Sequence, residues 1–128
     1  MTKQLRTPIK IARGLGSAKS GAHHFMVQRI TAVALIALCF WLVWIALVLL
    51  HSDYAAARAL IANPFNAIAM LAFIVAAFWH AQLGLQVIIE DYIHARWLEM
   101  TSQILVKFAC FLGAAASVFA VIRIALGS

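Results

Sequence analysis

Three groups of side chains in this sequence are of types that do chemistry, and all three lie in or beside apolar runs. The first is His80, followed by Ala81-Gln82-Leu83-Gly84 and, eleven positions on, by Asp91-Tyr92. An ionisable side chain inside a membrane-length apolar segment is costly and is a functional candidate by default. On a helix, eleven residues rise about 16 Å and turn through about 1100°, within ~20° of a whole number of turns. His80, Gly84, Val87 and Asp91 therefore share one face. Two roles stand open for a neutral imidazole there: a hydrogen bond to a neighbouring helix, or ligation of a metal or heme iron between facing helices. Ala76 one turn before and Gly84 one turn after leave the face flat enough for a helix or a planar ligand to come close. His80 is the one histidine deep in an apolar run, so a six-coordinate heme would take its second ligand from another chain.

The second group is His23, His24 and Arg29, at the mouth of the first apolar run. Arg29 either marks topology by snorkelling or offers paired donors to an anion such as a heme propionate. The third group is Asp91 and Tyr92. Glu90-Asp91 places two acids at the end of a predicted helix, against its macrodipole, which invites a second reason for them. A tyrosine can donate to a quinone carbonyl, and an aspartate can support proton delivery. Gln28, Gln82 and Gln86 are expected to hydrogen-bond between helices. Cys39 and Cys110 sit in apolar runs without CxxC or zinc-like spacing and are read as small hydrophobes. No nucleophile–base pair, P-loop or dinucleotide fingerprint is present, so no catalytic residue is assigned and no independent active site is expected.

The elements that must position these groups follow from composition. Of 128 residues, 66% are hydrophobic and 11% charged, and the mean hydropathy is +0.98. A soluble domain would be about half apolar and about a quarter charged. The chain is therefore predicted to be a single all-α membrane unit with three transmembrane helices, over roughly 26–50, 64–91 and 100–125. Residues 1–22 form a basic arm and 23–128 the anchor domain. A connection at 52–63 holds a turn or two of surface helix, and Asn63-Pro64 reads as a helix start. Ile93 to Glu99 reads as a second, polar connection. Lys107 and Arg123 are expected to snorkel toward opposite surfaces.

The net charge is +6, and five of the ten basic residues precede position 20. Beside three spans, such an arm points to topology and lipid headgroups rather than nucleic acid. The arm is read as retained and cytoplasmic, with a mitochondrial presequence as the alternative. The second connection joins it on that face, and the C-terminus lies on the other. His23–Arg29 and Asp91-Tyr92 then meet at one surface.

These residues resemble a known family. Gly21-Ala22-His23-His24-Phe25 with Gln28-Arg29-Ile30-Thr31-Ala32, then His80 followed by Asp91-Tyr92, is similar to the small hydrophobic membrane anchor of succinate dehydrogenase, respiratory complex II. The run Gln86 to Tyr92 resembles the bacterial branch related to mitochondria. The resemblance implies that His80 is an axial ligand to heme b, shared with a companion anchor subunit in one helical bundle. It further implies Arg29 and His23 on the propionate side, and Tyr92 with Asp91 at the ubiquinone site. His24 departs from the acidic residue found there in some relatives. The implied partners are the companion anchor, an iron–sulfur subunit, a flavoprotein that oxidises succinate, and membrane lipid. The implied location is the bacterial inner membrane, with the mitochondrial inner membrane as the alternative. Two other readings stay open: a heme-free anchor, and an unrelated three-span subunit with a proton path through His80 and Asp91.

Overall fold

The computed structural model describes residues 7–9 and 21–127. Residues 21–127 form four helices: α1 (Gly21–Leu49), α2 (Tyr54–Ala62), α3 (Pro64–Tyr92) and α4 (Arg96–Ala125). No strand occurs among the described residues. Helices α1, α3 and α4 are long and apolar enough to cross a membrane. At 29, 29 and 30 residues, each is about 44 Å long against a hydrocarbon core of ~30 Å. The all-α, three-span architecture expected from composition is what forms. The basic arm lies outside the described residues, except for 7–9 and for Gly21 and Ala22, which open α1.

Two boundaries differ from expectation for the same reason. α1 begins at Gly21 rather than 26, so His23 and His24 ride on its first turn. α4 begins at Arg96 rather than 100, so the second connection shrinks to Ile93–Ala95. Hydropathy marks where the hydrocarbon begins, whereas a helix continues into the headgroup layer until a breaker or cap stops it. Ala95 makes no side-chain cap, so that start carries no signal in the sequence. Local chemistry does mark the first connection. Asp53 accepts from the Ala56 amide at 2.7 Å and starts α2. Asn63 accepts from the Phe65 amide at 3.0 Å, and Pro64 takes the first helical position of α3. The buried Asn66 donates to the Leu60 carbonyl at 2.8 Å and ties α2 to α3.

α3 is the central helix, with α4 packed along one side and α1 along another. Its inner residues Ala67, Met70, Leu71, Ile74 and Phe78 recur at helical spacing and meet Ala114, Val118 and Val121 of α4. Between helices in lipid, association depends on close van der Waals packing rather than on exclusion of water, so small residues matter at the contact. Gly113 shows this: a Cβ there would lie 2.7 Å and 2.9 Å from two ring atoms of Phe78. Gly113→Ala should therefore cost about 1–3 kcal/mol by overpacking. Gly84→Ala is the control, because its Cβ would meet nothing nearer than Gln28 Nε2 at 3.7 Å. Thermal unfolding of the detergent-solubilised protein checks this: Tm should fall for the first variant and hold for the second.

Most large apolar side chains point away from this small core. Phe40 is 77% exposed, and Val33, Leu105, Phe108 and Phe111 are also exposed. An apolar outward surface of this extent suits contact with lipid or with other apolar surfaces rather than with water.

Candidate functional site

His80 lies on the side of α3 that meets α1, half-buried. Its Nδ1 is 3.1 Å from the hydroxyl oxygen of Thr31, a buried residue of α1. Thr31 in turn donates to the carbonyl of Val27 at 2.9 Å, with the Gln28 carbonyl at 3.1 Å. This back-bonding to the preceding turn is the usual resort of a threonine inside an apolar helix. Nε2, across the ring, has no hydrogen-bond partner among the described residues and is not fully buried. One ring nitrogen is thus tied to the bundle while the other remains open. The helix–helix hydrogen bond and the metal-ligand role are therefore compatible, because each uses a different nitrogen.

α3 runs unbroken from Pro64 to Tyr92, so the stripe from His80 through Gly84 and Val87 to Asp91 exists as expected. Part of it is occupied by α1. Gly84 faces Gln28, and Val87 and Leu83 border a groove of about 270 Å³ with Gly21, His24, Phe25 and Gln28. The flat face around Gly84 therefore receives α1 rather than a planar ligand. Among the described residues no cluster of three metal-ligating side chains exists.

The antiparallel course of α1, α3 and α4 brings the first turn of α1 beside the last turns of α3. His23 and His24 line a groove of about 260 Å³ with Gln82 and Gln86 of α3 and Lys107 of α4. His24 also faces Gln86 and Glu90 in an adjoining recess. Lys107 reaches this end of the bundle, whereas Arg123 borders a groove with Tyr54 and Arg58 at the other. The two cations thus diverge as expected. Glu90 accepts from Gln86 at 2.8 Å and from Gln103 at 3.4 Å. These donors offset its poor placement at a helix C-terminus. Asp91 has no such contact among the described residues; it stands exposed, and Tyr92 beside it is 78% exposed.

Arg29 is exposed, with its guanidinium 4.8 Å above the centre of the Phe25 ring. Two residues, or about 200°, separate it from Thr31 around α1. It therefore lies on the side of α1 away from the His80 contact. The expected interhelix bonds of Gln28, Gln82 and Gln86 do not form among the described residues. Gln86 bonds Glu90 within α3, and the Gln28 side-chain Oε1 is buried without a partner, as is the Trp41 indole nitrogen. Sequence reasoning missed Thr31. Its available signal was a hydroxyl in an apolar span, since intramembrane threonines hydrogen-bond across helices.

The arrangement offers one half-buried imidazole in mid-span and, about 16 Å away along the helix, a polar rim with an exposed acid and phenol. Comparison with known proteins identifies a family. Residues 3–122 match the family described as the succinate dehydrogenase/fumarate reductase transmembrane subunit. A succinate dehydrogenase hydrophobic membrane anchor subunit of Rickettsia typhi is 33% identical over 94% of this chain and 97% of its own length. Its counterpart in Rickettsia prowazekii is 32% identical over 88% of this chain and 90% of its own length. That of Rickettsia bellii is 40% identical over 56% of this chain and 57% of its own length.

Proposed function

The chain belongs to the family of succinate dehydrogenase hydrophobic membrane anchor subunits, and from that premise we propose that it anchors a succinate:ubiquinone oxidoreductase. In this reading it docks the iron–sulfur and flavoprotein subunits, shares heme b with a companion anchor, and forms part of the ubiquinone site. The family match sets aside the unrelated proton-path protein.

One observation carries the heme reading: His80, half-buried, is held through Nδ1 by Thr31 while Nε2 is neither hydrogen-bonded among the described residues nor fully buried. Those residues suit one axial bond and not a whole site, which fits a group shared between two chains. When bound, heme supplies a one-electron carrier. His80 would hold the iron from this side. Arg29 and His23 would face the propionates, as cation and hydrogen-bond donor. Arg29 would have to leave Phe25 or bond from its present place, since its α1 face is turned from Thr31.

At the rim, Tyr92 would donate its phenolic hydrogen to a ubiquinone carbonyl, and Asp91 would support proton delivery as the quinone is reduced. Their exposure in this chain suits a pocket completed by other subunits. The basic arm and the Ile93–Ala95 connection would face the cytoplasm, where the soluble subunits dock, with the protein in the bacterial inner membrane.

The test is purification through a tag on this chain. Flavin, the iron–sulfur protein and a companion membrane anchor should co-purify, with heme b equal in amount to flavin by the pyridine hemochrome method. A complex with flavin and no heme would favour the heme-free anchor. Absence of the soluble subunits would overturn the docking role.

A further inference from the structure

We infer that Thr31 is a positioning residue for heme ligation: its hydroxyl selects the Nδ1–H tautomer of His80 and so leaves the lone pair on Nε2. The inference rests on the heme reading above and deepens it.

The argument is a count of bonds around one hydroxyl. Thr31 Oγ1 has one hydrogen and two lone pairs. It lies 2.9 Å from the Val27 carbonyl and 3.1 Å from that of Gln28, both acceptors only. It also lies 3.1 Å from His80 Nδ1, which can be either donor or acceptor. If the hydroxyl gives its hydrogen to Val27, its lone pair is free to accept from Nδ1–H, and two bonds form. If it gives its hydrogen to Nδ1, its lone pairs receive nothing and one bond forms. In lipid no water replaces the missing bond, so the first arrangement wins. The backbone carbonyl acts through the hydroxyl as a relay that fixes the imidazole.

Two consequences follow for iron. The other tautomer carries hydrogen on Nε2 and cannot ligate through it, so the selected one is the competent one. An imidazole whose second nitrogen donates a hydrogen bond is oriented and made a stronger electron donor, the usual second role around metal-bound histidines. Stronger donation favours the ferric state. Thr31 also sits on α1 while His80 sits on α3, so ligation depends on α1–α3 packing as well as on the histidine.

The test uses the assembled membrane complex, comparing wild type with Thr31→Val, Thr31→Ala and Thr31→Ser. Thr31→Val keeps the shape and removes the hydroxyl. It should raise the heme midpoint potential, introduce a high-spin fraction, and lower heme per flavin in line with a roughly tenfold or greater loss of affinity. Thr31→Ser should restore all three. A wild-type potential and heme content in Thr31→Val, or failure of Thr31→Ser to restore them, would overturn the inference. So would loss of the flavin-bearing subunits from the membrane in both hydroxyl-free variants, because Thr31 would then serve assembly. Wild type without heme b would overturn the underlying heme reading itself, a distinct result read before any variant is made.

Discussion

Replacing His80 with alanine should abolish the low-spin, six-coordinate heme b spectrum while the complex still assembles. The expectation has two halves. The first is chemical: no other histidine of this chain lies deep in a span. On the proposed heme reading, removing the imidazole would leave only the companion's side to hold the group. Heme content should then fall, with a drop in affinity of at least about 100-fold if a ligand matters more than its supporting partners. The second half is structural. Thr31 keeps its bond to the Val27 carbonyl when the imidazole is removed, so no buried donor is orphaned. His80 is only half-buried and contributes nothing to the α3–α4 core built on Ala67, Ile74 and Val121. The folding cost should stay near 1–2 kcal/mol. The measurement is a reduced-minus-oxidised spectrum with heme and flavin content on the same preparation. Unchanged low-spin heme at unchanged content would sink axial ligation by His80. Succinate oxidation by an artificial acceptor should persist, because it depends on the soluble subunits.

Helical periodicity is enough to put His80 and Asp91 on one stripe, because α3 is continuous and nothing in it breaks the 3.6-residue repeat. Caps are legible where side chains make them, at Asp53 and Asn63, and not at Ala95, where none does. Periodicity names a face without naming what lies across it. The space beside Gly84 suits a planar ligand or a helix by sequence, and a helix takes it. Thr31 and His80 are 49 positions apart, and their meeting depends on the register of α1 against α3, which no local pattern encodes. Lys107 illustrates the same limit: its end of the bundle follows from charge and depth, but its grouping with His23, His24, Gln82 and Gln86 requires three helices in place. The remaining half of each candidate site is not legible in the sequence and is not supplied by the fold of one chain; in the proposed function the imidazole and the exposed rim would acquire their other walls from partners.

Tyr92→Phe should lower quinone reductase activity by roughly 10- to 100-fold while succinate oxidation with an artificial acceptor is retained. The phenol makes no hydrogen bond within the described residues and is 78% exposed, so removing its oxygen should change folding by no more than ~0.5 kcal/mol. What the variant loses is one donor to the quinone carbonyl. A hydrogen bond to an oxygen that gains negative charge contributes about 1.5–3 kcal/mol, more than one to a neutral carbonyl. At ~1.4 kcal/mol per factor of ten, that gives the stated range. The effect should fall mainly on turnover, since the bond strengthens as the carbonyl is reduced. Asp91 supplies a contrast from the adjacent position. One residue is about 100° around the helix, so Asp91 points along the His80 stripe while Tyr92 points to one side of it. Asp91→Asn keeps the shape and removes the proton acceptor, and should slow turnover without weakening quinone binding. Tyr54 supplies the control, being 82% exposed in a groove with Arg123 at the opposite end of the bundle. Tyr54→Phe should leave both activities unchanged. Equal loss of quinone reductase and artificial-acceptor activity in Tyr92→Phe would mean failed assembly and no special role for the phenol. Full retention of both would overturn the assignment of Tyr92 to the quinone site.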